Sequence, residues 1–131
     1  MNEQVRRDLV SYRIKKARET YNEVSLHIDN KLWNTAVNRL YYACYYSVIA
    51  LLIKNDIKAS THAGARQMFG LHYIKTGIID KELGKFYSDI FDMRQTGDYE
   101  DYVDFEEEDV MDLLYSANNL ITRIENILKE N

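Results

Sequence analysis

An all-α fold is what this sequence predicts, and three features predict it. The 131 residues contain no proline and only five glycines. Helix interiors exclude both types, whereas hairpin-rich folds use them at turns. Apolar residues recur every three or four positions along most of the chain, which is the spacing of one helix face. Hydrophobic residues make up 46% of the sequence, so a single domain over residues 1–131 can bury a sizeable core.

Five helices can be placed in order. The first runs from about Gln4 to Ile28, with Leu9, Ala17, Tyr21, Val24 and Ile28 as its inner stripe. Arg6, Arg7, Arg13, Lys15, Lys16 and Arg18 are assigned to its outer face, and Asn30 interrupts it. The second runs from about Trp33 to Lys54, with Trp33, Val37, Leu40, Cys44, Val48 and Leu51 at helical spacing. Its second half is apolar all round and must be covered on more than one side, by other helices or by a second subunit. Ser60 or Thr61 caps a shorter third helix, about Ala63 to Lys75, which Gly77 ends. Asp80 caps a fourth, about Lys81 to Gln95, lined by Leu83, Phe86, Tyr87, Ile90 and Phe91. Arg94 closes this helix and Gly97 breaks it. The fifth runs from about Glu106 to Lys129, with its apolar stripe from Val110 to Leu128. The carboxylates of Glu106 to Asp109 lie in its first turn, facing the positive end of the helix dipole.

Composition closes off several classes of function. A net charge of −4 argues against a surface that grips nucleic acid everywhere, though not against a local basic groove. The lone Cys44 sits in an apolar run and cannot pair within the chain, which fits a buried thiol in a reducing, cytoplasmic setting. The N-terminus, "MNEQVRRDLVSYR", has no apolar signal core. The most apolar run, residues 40–53, has 14 residues and reads as a core helix rather than a membrane span. His27, His62 and His72 lack metal-ligand spacing, and no phosphate-cradling glycine loop is present. Asp98, Asp101 and Asp104 are spaced by three, not at the alternate positions of a calcium loop. No metal or cofactor is implied. Charge is unevenly spread: residues 6–18 carry six basic side chains and one acid, residues 98–112 nine acids and no base. These patches can face each other within or between subunits, or the basic one can meet an anionic partner.

Two features carry chemistry. Tyr41, Tyr42, Tyr45 and Tyr46 cluster on the second helix, either as core and dimer packing or as a stack for nucleotide bases. In "MRQTGDYEDY", residues 93–102, Arg94 offers a planar fork of donors suited to phosphate. An ion pair with Asp92, Asp98 or Asp101 is its structural alternative.

With "AVNRLYYACYYSVIALLI", "STHAGARQMFGLHYIKTGIIDKELGKFY" and "DMRQTGDYEDYVDFEEEDV", the chain resembles the HEPN domain family over nearly its whole length. The resemblance implies a five-helix antiparallel bundle, usually a homodimer. It also implies ribonuclease activity, or pairing as a toxin with a minimal nucleotidyltransferase that adds AMP to a tyrosine. The family motif is an arginine, four to six residues, then a histidine, with two copies meeting over one groove. Arg94 matches the arginine. At the histidine positions stand Tyr99, Glu100 and Asp101.

Three functions follow from that pattern. The first is a dimeric binding module that works with a nucleotidyltransferase. It would contact RNA or nucleotide through Arg94, Arg39 and Tyr42, with Tyr99 and Tyr102 as sites of AMP addition. The second is a metal-independent ribonuclease toxin in which Asp98 or His62 serves beside Arg94. The third is a purely structural interaction module.

Overall fold

The computed structural model describes residues 1–100 and 103–130. Among them there are helices and no strands. The helices are α1 (Glu3–Asp29), α2 (Trp33–Lys54), α3 (His62–Phe69), α4 (Lys81–Tyr99) and α5 (Glu107–Lys129), with one π turn (Gly70–Ile74) extending α3.

Local chemistry explains most boundaries. Asn2 Oδ1 accepts from Val5 N at 2.8 Å and opens α1. Thr61, not Ser60, opens α3, its Oγ1 accepting from Gly64 N at 2.8 Å. Asp80 occupies the position before α4 but its side chain makes no capping bond. Gly77 sits at φ 83, a left-handed conformation that favours glycine, and turns the chain out of the π turn. At α5, Glu106 N donates to Asp109 Oδ2 at 2.9 Å, so one acid of the acidic run folds back on the helix start.

The fourth helix departs from expectation. It passes through Gly97 and ends at Tyr99, and Glu100 N still donates to Thr96 O at 3.0 Å. Gly97 does not break the helix; it makes room. A Cβ there would lie 2.7 Å from Phe105 Cε2, so the missing side chain is the seat of that ring.

The long side chains give the directions of packing. Arg6 Nη1 donates to Ile53 O at 2.9 Å, joining the start of α1 to the end of α2, so the two run antiparallel. Asn38 meets Asp98 and Tyr42 meets Arg94, so α4 also runs against α2. Lys54 Nζ reaches Leu128 O at 3.1 Å, so α5 runs with α2. Half of α2, 11 of its 22 residues, is buried. It therefore forms the centre of the bundle, covered chiefly by α1, α4 and α5 of its own chain. Although long and apolar enough to cross a membrane, it supplies the core through Leu40, Tyr41, Cys44, Val48 and Leu51. Truncating a buried leucine such as Leu51 to alanine would cost about 2–5 kcal/mol.

Helix α1 corrects a second expectation. Arg6 and Arg18 are not simply outer charges. The Arg6 side chain is only 16% exposed. Arg18 reaches Glu125 Oε1 at 2.7 Å, Asn118 Oδ1 at 2.8 Å and Thr122 Oγ1 at 3.1 Å, all on α5. Among the described residues no ion pair joins the basic segment 6–18 to the acidic segment 98–112.

Candidate functional site

Arg94 lies in the second-to-last turn of α4 and points at α2. Its Nη2 donates to Tyr42 Oη at 2.9 Å. Its Nε lies 3.3 Å from Asp98 Oδ2, one helical turn on, without good hydrogen-bond geometry, and is otherwise unpartnered. The guanidinium carbon sits 5.2 Å from the Tyr41 ring centre, 5.3 Å from that of Tyr42 and 5.9 Å from that of Tyr99. The side chain is 10% exposed. An aromatic cage of this kind attracts the cation through the ring quadrupoles and restricts its fork.

Asp98 is engaged on both sides. Its Oδ2 also accepts from Asn38 Nδ2 at 3.0 Å. A carboxylate oxygen already shared between a guanidinium and an amide is placed as a positioning group rather than as an open base. One turn earlier, Asn34 Nδ2 donates to Val103 O at 2.9 Å and its Oδ1 accepts from Phe105 N at 2.8 Å. Asn34, Asn38 and Tyr42, spaced by four, thus hold the end of α4 and the segment leading to α5 against one side of α2.

His62 enters from α3. Its Nδ1 lies 2.8 Å from Tyr41 Oη, and its ring stacks on Tyr45 at 4.1 Å with planes 6° apart. The same imidazole meets Tyr42 edge-on at 5.7 Å. Burial, and then the nearby Arg94 charge, hold its pKa below 6.5, so the ring is neutral at pH 7. Burial raises the Tyr41 hydroxyl, which stays protonated. Arg94 and His62, from different helices, therefore share the Tyr41–Tyr42 pair.

The Arg39 guanidinium carbon lies 5.6 Å from the Tyr42 ring centre, so Tyr42 carries two guanidinium groups. Tyr99 is 75% exposed at the mouth of the site. Tyr102 and Asp101 lie outside the described residues. Cys44 is fully buried and its thiol pKa is pushed up by burial, which leaves it inert. Among the described residues no cluster of three His, Cys, Asp or Glu side chains could hold a metal ion. Sequence reasoning missed Asn34 and Asn38. Their only signal was the shared spacing with Tyr42 on α2.

A HEPN-domain family model matches residues 10–127. A "UPF0332 protein" of Thermotoga maritima is 39% identical over 130 residues, 99% of this chain and 97% of the relative. "Putative toxin MJ0605" of Methanocaldococcus jannaschii is 32% identical over 99% of this chain and 96% of its own. A second protein of that organism, "Putative toxin MJ0142", is 32% identical over 81% of this chain and 76% of its own. With the five-helix bundle and an arginine at the end of its fourth helix, the chain belongs to the HEPN domain family.

Proposed function

We propose that this chain is the HEPN member of a toxin–antitoxin type pair. It binds the phosphate of RNA or of a nucleotide at Arg94, in a groove shared by two copies, and works with a minimal nucleotidyltransferase. One observation carries the reading: Arg94 is held by the hydroxyl of Tyr42 and caged by three tyrosine rings, with Arg39 on the same tyrosine. Guanidinium groups supply the fork for phosphate, and tyrosine rings supply faces for bases. The relatives named as toxins support the pairing. Tyr99, exposed beside Arg94, is the described tyrosine that a transferase could reach to add AMP.

The test is binding of a short oligoribonucleotide followed by fluorescence anisotropy. Arg94→Ala is expected to weaken it by about tenfold, the worth of one charged hydrogen bond. Equal binding by wild type and variant would end the proposal. Incubation with the cognate transferase and ATP should add the mass of AMP to Tyr99, and no addition by a transferase shown to be active would remove that part.

A second reading is a ribonuclease, favoured by the placement of His62 against the tyrosines that hold Arg94. In it, His62 Nδ1–H donates to Tyr41 and leaves Nε2 as base. The imidazole takes the 2′-hydroxyl proton and O2′ attacks phosphorus. A 2′,3′-cyclic phosphate forms, and the departing 5′-oxygen takes up a proton from the imidazolium. Arg94 offsets the charge gathering on the phosphate. Asp98 acts through Arg94, as its positioning carboxylate. Cleavage by wild type but not by His62→Gln or Arg94→Ala distinguishes this reading from binding alone.

A further inference from the structure

Next to the Arg94 site the surface opens into a groove of about 740 Å³. Ile49, Leu52 and Ile53 of α2, with Ile57 of the following loop, give it an aliphatic lining. Tyr45 belongs to both places. It lines the groove, and its ring stacks on His62 at 4.1 Å. Its ring centre also lies 6.2 Å from that of Tyr42, whose hydroxyl holds Arg94. Ser60, another lining residue, precedes His62 by two positions. The groove is therefore continuous with the Arg94 site through one tyrosine and one short stretch of loop.

Charge in the groove is unbalanced. Arg6, Arg13 and Lys58 line it with a single carboxylate, Asp56. Arg6 lies 3.4 Å from that carboxylate and donates to Ile53 O at 2.9 Å. Among the described residues no ion pair is left for Arg13 or Lys58. Lys58 is exposed and keeps its water. Arg13 is half-buried, and its Nε is shielded from solvent without a hydrogen-bond partner. A shielded donor without an acceptor is costly, and an anion in the groove would supply the acceptor. Arg13 also lies close enough to Tyr45 for its charge to oppose the upward pKa shift that burial gives the phenol.

Two kinds of anion suit such a groove: a phosphodiester strand, or a carboxylate with a hydrocarbon tail. Continuity favours the strand. Tyr42, Tyr45 and Ile49 follow one another along α2 at steps of three and four, so they share one side of the helix. Arg94 stands at the Tyr42 end of this row and Arg13 beyond Tyr45. Cation, rings, cation is the succession that carries a single strand, with phosphates on the charges and bases against the rings. A tailed carboxylate would use Arg13 and the aliphatic lining but neither Tyr42 nor Arg94.

We infer that Arg13 is a second phosphate contact for the strand held at Arg94, with Lys58 at the rim and the aliphatic lining beneath the adjoining ribose and base. The inference rests on the phosphate reading of Arg94 and deepens it, because it makes the ligand a single-stranded oligoribonucleotide rather than a mononucleotide.

Chain length and salt test it. Fluorescence anisotropy follows binding of a labelled oligouridylate, with uridine monophosphate as competitor. Arg94→Ala should weaken both ligands. Arg13→Gln should weaken the oligouridylate by about tenfold, and more than it weakens the monophosphate. The slope of log affinity against log salt should become shallower by about 0.7, the share of one phosphate on a single strand. Lys15→Gln removes the same charge from α1 at a side chain that is 79% exposed and paired with Glu19, and should leave the slope as in wild type. Unchanged oligouridylate binding by Arg13→Gln, a loss no greater than for the monophosphate, or an equal loss in Lys15→Gln would each overturn the inference. So would an Arg13→Gln variant that loses laurate and keeps RNA, which assigns the groove to a tailed carboxylate. Circular dichroism checks folding. If Arg13→Gln does not fold, Lys58→Gln at the exposed rim replaces it, and an unchanged slope there is equally fatal. Failure here is separable from failure at Arg94. An ineffective Arg13→Gln beside an Arg94→Ala that loses both ligands sinks the second contact alone. An ineffective Arg94→Ala sinks the phosphate reading, and with it the strand that joins the two sites.

Discussion

Tyr41 Oη and His62 Nδ1 stand 2.8 Å apart, and this hydrogen bond ties the start of α3 to the most buried tyrosine of α2. It places an imidazole against the same pair of tyrosines that Arg94 contacts. The arrangement makes His62 sensitive to Arg94. Two positive charges near one another disfavour protonation of the ring, and burial does so more strongly. In an NMR titration His62 is expected to titrate below 6.5. In Arg94→Gln its midpoint should rise toward that value. A midpoint that does not move on loss of Arg94 would show that the two groups do not interact.

Much of this architecture could be read from the residues because two helices have unmistakable patterns. The approximate span of α2, about Trp33 to Lys54, follows from apolar spacing, and α5 starts within one residue of its expected place. What escaped was long-range pairing. Nothing near Arg18 announces that its partners are Asn118, Thr122 and Glu125. Nothing near His62 announces Tyr41 and Tyr45 as its neighbours, because the fold brings them together across a turn. Gly97 misled for a different reason. Propensity describes a glycine by its backbone freedom, while here its role is to leave space for a ring from another segment. Arg94 could be singled out as a cation near a helix end, but its cage of tyrosines could not.

The lowered pKa of His62 also couples stability to pH. The unfolded ring takes up its proton near 6.5, before the folded one does. The unfolded state therefore binds more protons in the window just below 6.5, and stability falls there as pH falls. Above that window the contribution is fully present. Urea midpoints at about pH 7.5 and about pH 5.5 should differ more for wild type than for His62→Gln. Identical differences would mean that the folded ring titrates like an exposed one. The effect should be modest because the ring is partly solvated.

Asn34 is expected to act as the clasp of the segment between α4 and α5. Its amide both donates to Val103 O and accepts from Phe105 N. Asn34→Ala removes both bonds at a half-buried position and should cost about 1–2 kcal/mol. Asn34→Asp keeps the acceptor and loses the donor. Hydrogen exchange separates the two: the Phe105 amide should lose protection in Asn34→Ala and keep most of it in Asn34→Asp. Equal protection in wild type and Asn34→Ala would mean that the segment is held by packing alone.

Gly97 gives a prediction whose sign decides between two effects. Replacing an interior helical glycine by alanine ordinarily stabilises by about 1 kcal/mol, through backbone entropy. Here the added methyl would lie 2.7 Å from Phe105 Cε2, inside contact distance, and the ring is half-buried against the core. Displacing a packed ring costs about 1–3 kcal/mol, which exceeds the propensity gain. Gly97→Ala should therefore lower the melting temperature. The same substitution made with Phe105→Ala should be neutral or stabilising, because the ring is gone and only propensity remains. A double-mutant cycle isolates the contact from the general cost of losing Phe105. If Gly97→Ala stabilises the otherwise wild-type chain, the ring does not sit where the close approach requires. The link from α4 through Phe105 to Asn34 would then fall with it.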